Sequence, residues 1–141
     1  MNQRELEFRR ALLIGMKKFW SVSVHVENHL NPGVPDLSFV MNGDSCETGW
    51  LELKSVADIG HVLLKIEPSQ HNWMELYARR IPAFFLAEVG QKMYLVHGIR
   101  HSDLMYPMEK HQLGALSLWQ GTDCFELARV LKNLSMRARN G

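Results

Sequence analysis

The sequence is poor in cysteine: Cys46 and Cys124 are its only two thiols in 141 residues. They are too few for a disulfide framework, form no C-x-x-C pair, and sit in no nucleophile motif, so they read as reduced thiols of a cytosolic protein. Long apolar runs are missing. None approaches the roughly 18–20 residues a membrane helix needs, and the opening Met1-Asn2-Gln3-Arg4-Glu5 is charged where a secretory leader would be apolar. These absences predict a cytoplasmic protein without a membrane anchor. Neither G-x-x-x-x-G-K-[ST] nor G-x-G-x-x-G occurs, which removes sequence support for a P-loop NTPase and for a nucleotide cofactor. His25-Val26-Glu27-Asn28-His29 lacks the helical zinc pattern. Its Glu falls two residues after the first His, and on a strand the two imidazoles would lie ~13 Å apart.

Charge of one sign is not in excess either, with 16 Lys and Arg against 15 Asp and Glu. A nucleic-acid partner would therefore have to be met by clustered cations rather than by total charge. The candidates are Arg9, Arg10, Lys17 and Lys18, then Arg79 and Arg80. A further run, Arg129, Lys132, Arg137 and Arg139, lies near the C-terminus. Each run also reads as an ordinary solvated helix face.

What is present fits one domain over residues 1–141, with a hydrophobic fraction of 46%. Residues 3–18 read as a helix with Phe8, Leu12, Met16 and Phe19 along its apolar side. Val22, Val24 and Val26 alternate with polar residues as a strand does, until Asn31-Pro32-Gly33 breaks the pattern. Strands are expected over 36–41 and 50–55, with Asn42-Gly43-Asp44-Ser45 as the turn between them. Residues 57–68 read as an ordered loop. Ser69 is the expected cap of a helix running to about Arg80, with Trp73, Leu76 and Tyr77 on its buried side. Strands follow over 83–89 and 92–96. A final helix starts at Thr122 or Asp123 and carries Phe125, Leu127, Ala128, Val130, Leu131 and Leu134. Residues 98–121 give no readable pattern, although Trp119 reads as exposed. The order predicts an α/β fold with a central mixed sheet flanked by helices.

The chemistry concentrates in Gly33-Val34-Pro35-Asp36 and Gly49-Trp50-Leu51-Glu52-Leu53-Lys54. Strand alternation puts Glu52 and Lys54 on one face and Leu51 and Leu53 on the other. If the strands starting at Asp36 and Trp50 pair, two carboxylates converge, with an ammonium beside them. Hard oxygen donors of this kind suit Mg²⁺ or Mn²⁺. The plain alternative is a turn-ending Asp and an edge strand facing water. Apolar strands on both sides argue that the Glu52 strand is central, and a charged pair there must find partners or serve a site.

Pro-Asp followed after a hairpin by Glu-x-Lys resembles the signature of the PD-(D/E)XK nuclease superfamily. With Val26-Glu27-Asn28 before it and Ser69-Gln70 ahead of Trp73 after it, the chain looks like small stand-alone phage-type VRR-NUC nucleases over residues 20–98. The resemblance implies a restriction-endonuclease-like αβββαβ core followed by a C-terminal helix. It also implies a metal-dependent DNA endonuclease, structure-selective for branched or junction DNA, acting as a homodimer, in the host cytoplasm if phage-encoded. Asp36, Glu52, Lys54 and Gln70 would be catalytic. Asp36, Glu52 and the Leu53 backbone carbonyl would hold Mg²⁺ or Mn²⁺. Glu5 or Glu27 would complete the shell, with Glu7 a further choice on the first helix. Two other readings remain open at this point: a non-catalytic nucleic-acid-binding module that keeps the nuclease fold, and a protein-interaction domain.

Overall fold

The structure, a computed structural model, describes residues 2–25, 32–43 and 47–140, with the side chains of Val22, His25 and 137–140 outside that description. The chain is α/β. Helix α1 (Gln3–Met16) leads into strands β1 (Trp20–His25), β2 (Leu37–Met41) and β3 (Thr48–Val56). Helix α2 (Pro68–Tyr77) crosses to β4 (Ala83–Val89) and β5 (Lys92–His97). A 3-10 turn (Gly98–Leu104), α3 (Lys110–Leu116), β6 (Trp119–Gly121) and α4 (Cys124–Asn140) close it.

Among the described residues, six strands form one sheet in sequence order. Neighbours pair antiparallel except β3 and β4, which run parallel. A parallel pair cannot be joined by a tight turn, and α2 supplies the crossover. The sheet is therefore mixed, and β3 lies inside it. The order α-β-β-β-α-β is the one anticipated above.

Each face of the sheet carries its own core. Phe8, Leu12 and Met16 of α1 and Leu127, Ala128 and Leu131 of α4 pack over Leu37, Phe39, Leu51 and Leu53. The period of four in 8, 12 and 16 puts these α1 side chains on one stripe. The opposite face is covered by Met74 and Ala78 of α2, with Leu104 and Leu113 over Phe85, Ala87, Tyr94 and Val96. Strand β3 feeds both: Leu51 and Leu53 enter the first core, while Trp50 and Val56 border the second.

Several local expectations need correction. Helix α2 is capped by Glu67, not Ser69, with Pro68 at its first helical position, where a missing N–H costs nothing. The Glu67 N–H instead donates to Gln70 Oε1 at 2.9 Å. The buried side of α2 is Met74 and Ala78; Trp73 is half-buried, and Leu76 and Tyr77 are 57% and 43% exposed. Phe125 is 59% exposed, whereas Trp119 packs half-buried against the first core. Residues 98–121, which carry no long periodic pattern, hold the 3-10 turn, α3 and β6.

Candidate active site

Hydrogen-bond parity along β3 builds the site. Trp50 N–H donates to Pro82 O at 2.9 Å on the β4 side. Even-numbered residues of β3 therefore turn their main-chain groups to β4, and odd-numbered ones turn theirs to β2. Strand β2 is registered with β3 back to Leu37 opposite Leu51. Continuing that register places Asp36 opposite Glu52 and Pro35 opposite Leu53. The 36/52 pair is of the non-hydrogen-bonded kind, in which facing side chains come closest.

Proline now matters. The Leu53 carbonyl would accept from the N–H of residue 35, and Pro35 has none. Leu53 N–H does not find main chain either; it donates to Asp36 Oδ2 at 2.9 Å. The ladder ends here with a carboxylate over one Leu53 group and the carbonyl of the same residue turned to the same side.

Glu52 is 3% exposed and Lys54 is 5% exposed. Burial pushes the Glu52 carboxyl well above the usual carboxylate range. The Asp36 charge and an Asp36–Glu52 side-chain hydrogen bond push it further, Lys54 opposes, and Glu5 adds to the rise. Lys54 Nζ donates to Gln70 Oε1 at 2.9 Å and to Lys65 O at 3.2 Å. An ammonium has three donors, so one N–H remains for a ligand. Lys65 presents that carbonyl from a left-handed backbone conformation, φ 50°, which costs a non-glycine residue about 1–2 kcal/mol.

Glu5, at the third position of α1, reaches the same place. Burial raises its carboxyl, Lys54 lowers it and Asp36 raises it again. Asn2 holds it locally, accepting from Glu5 N–H at 2.8 Å and donating from Nδ2 to Glu5 Oε1 at 3.2 Å. Glu7 is exposed and takes a hydrogen bond from Gln3 Nε2 at 3.0 Å. Glu27, like the whole Val26–Asn28 match and His29, lies outside the described residues. A cavity of about 490 Å³ collects Glu5, Asp36, Glu52, Lys54 and Gln70 in its wall.

Of the cations singled out in the sequence, Arg9, Arg10, Lys17, Lys18, Arg79 and Arg80 do not line this cavity; Arg4 and Lys65 do. Lys18 instead rims a separate hollow with Arg129 and Lys132, floored by Phe19 and Phe125. Arg4 and Lys65 escaped the sequence reading because neither belongs to a charge run. One enters from the first turn of α1 and the other from a loop of unusual backbone.

The donors fit a divalent cation that keeps part of its water shell. Among the described residues, no group of three or more His, Cys, Asp or Glu is set to hold a metal by itself. The fit rests on the carboxyl groups of Asp36 and Glu52, hard oxygen donors that share one cavity wall with room beside them for water. Mg²⁺ characteristically takes one or two carboxylates and retains waters. A buried carboxyl destabilised in its charged form also gains most from a cation at that spot.

No protein-family model matches this chain, and no curated protein is significantly similar to it. Among the described residues, no helix is long and apolar enough to cross a membrane.

Proposed function

We propose that this chain is a divalent-cation-dependent DNA endonuclease whose active site is Asp36, Glu52 and Lys54. One observation carries the reading: a buried carboxyl whose ionisation its Asp36 neighbour opposes lies with a buried ammonium in one cavity, on a strand inside the sheet. Such a cluster costs folding free energy, and function is the usual reason to keep it.

Asp36 and Glu52, with the Leu53 carbonyl, would hold Mg²⁺ or Mn²⁺. When bound, the cation supplies positive charge for the scissile phosphate and makes a coordinated water more acidic. Lys54, aimed by Gln70 Oε1 and Lys65 O, uses its remaining N–H to orient the attacking water or to stabilise charge on the phosphate. Water attacks phosphorus in line, the P–O3′ bond breaks, and the proton ends on the departing 3′ oxygen. The ends are 5′-phosphate and 3′-hydroxyl. The reading extends to branched DNA as the preferred substrate, since the sequence carries no motif for base-sequence readout. Cutting both strands would take two copies of the chain, one site on each.

The test is cleavage of supercoiled plasmid and of a four-way junction with Mg²⁺, Mn²⁺ or EDTA. Cutting should require the cation and fall at least about a hundredfold in Glu52→Ala and Lys54→Ala. Binding without cutting by the wild-type chain would support the non-catalytic module instead. Neither binding nor cutting would leave an interaction domain.

A further inference from the structure

A second hollow lies beside the catalytic cavity, with the turn leading into β2 and the start of α2 contributing neighbouring residues to both. Val34 lines the hollow and Asp36 lines the cavity. That turn is clamped onto α2: Gly33 has φ 94°, and a Cβ there would come within 2.1 Å of Ser69 O. The hollow, about 430 Å³, has Trp73, Leu76 and Tyr77 on one wall and Pro32 and Val34 on the other. Among the described residues, its wall carries no charged side chain. Its aromatic side is a ladder. Trp50, two residues before Glu52 on the same strand face, meets Trp73 at 5.8 Å between ring centroids, and Trp73 meets Tyr77 at 4.8 Å. Tyr77 and Leu76 are exposed at the far end.

Cations border that end. Arg80 Nη1–H donates to Leu76 O at 3.0 Å, which holds the guanidinium on the turn that carries Leu76 and Tyr77. A guanidinium has five N–H donors, so others remain for an anion. Arg79 follows Ala78 on the same turn, its charge partly engaged by Glu75.

We propose that this hollow takes an unpaired nucleobase of the DNA substrate, stacked on Tyr77 and Trp73, with Arg80 on a neighbouring phosphate. The inference rests on the nuclease reading for its substrate class. An aromatic-walled slot with polar groups, here Ser69 and Asn72, in its lining and arginine at its border is the chemistry that binds single-stranded nucleic acid, because every base has a π-face. A paired base keeps its faces inside the duplex stack and cannot enter. The hollow therefore selects DNA with unpaired nucleotides next to the cut, and it explains why α2 leaves Leu76 and Tyr77 uncovered.

The experiment is equilibrium binding in EDTA, where no cutting is needed, with a splayed-arm DNA and a fully paired duplex of the same sequence. Tyr77→Ala should weaken splayed-arm binding about tenfold and duplex binding less than twofold, and Tyr77→Phe should keep both. Tryptophan emission of the wild-type chain should be quenched by the splayed DNA and much less by duplex. Equal loss on both substrates, or none, in a Tyr77→Ala protein of unchanged melting temperature overturns the proposal. So does a shift from dimer to monomer in Tyr77→Ala with splayed-arm binding intact, which would make the hollow an interface between copies. Cleavage is scored separately. A chain that discriminates the two DNAs through Tyr77 but never cuts would fail the catalytic reading and keep this one.

Discussion

Burial and the Asp36 charge favour the neutral form of Glu52 over its ionised form. Its folded pKa lies above the unfolded value, chiefly through burial and then through Asp36. The stability this contributes is complete below the unfolded value of about 4.3. It is lost as pH rises through the folded pKa. Glu52→Gln, which keeps the shape and cannot ionise, should raise the metal-free melting temperature at pH 7–8. Each kcal/mol recovered is worth about 4 °C in a chain of this size. The gain should disappear as the pH is lowered to about 4, and Mg²⁺ should stabilise the wild type and not the variant. Thermal melts across pH, with and without the cation, check both; a gain that persists at pH 4 would show that ionisation was not its source. Gln70 makes a second residue-scale case, because one oxygen accepts from both Glu67 N–H and Lys54 Nζ. Gln70→Ala should cost about 1 kcal/mol of helix capping and slow cleavage about tenfold, whereas Gln70→Glu should restore the melting temperature. Glu52 and Lys54 were legible because strand alternation alone fixes their face. The place of Asp36 was not fixed by alternation, since it depends on the register of β2 against β3.

At the scale of elements, α2 both crosses between the parallel strands and positions the site. Gln70, Met74 and Ala78 lie four residues apart, so one stripe meets Lys54, the sheet and the tight approach of Gly98. Periodicity alone predicts Trp73, Leu76 and Tyr77 as the buried side of this helix, whereas Met74 and Ala78 take that place. Met74 and Ala78 face the close approach of Gly98, where an added Cβ would lie 2.5 Å from Met74 Sδ and 2.8 Å from Ala78 Cβ. Burial of this kind depends on neighbours distant in sequence, which periodicity does not see. The turn before Asp36 is tied to the same helix, so Gly33→Ala must displace either Asp36 or Ser69. It should lower stability by about 2–4 kcal/mol through clash and left-handed strain. Gly43→Ala, also at positive φ but with its nearest neighbour, Lys132 Nζ, 3.6 Å from the added Cβ, should cost only about 1–2 kcal/mol. Denaturant titration of the pair separates packing from strain; equal losses would mean that the Ser69 contact contributes nothing.

Across the whole molecule, protection should follow the two cores. Strands β3, β4 and β5 are covered on both faces and are buried along most of their lengths. Edge strand β1 pairs only with β2 and leaves Val24 48% exposed. Native-state hydrogen exchange should therefore be slowest in β3–β5, near the global unfolding free energy, and fastest in β1. The proposed cation site joins the entry to β2 with β3, inside that slow unit. A cation bound at 100 times its dissociation constant adds about 2.7 kcal/mol to whatever opening destroys its site. Amides of β3–β5, which exchange only through that opening, should slow about a hundredfold on adding Mg²⁺. Amides of β1, which exchange by local fraying with the site intact, should hardly change. If β1 gained as much protection as β3, the cation would be acting on the whole surface rather than between Asp36 and Glu52. If no amide gained any, no cation would be binding at this site.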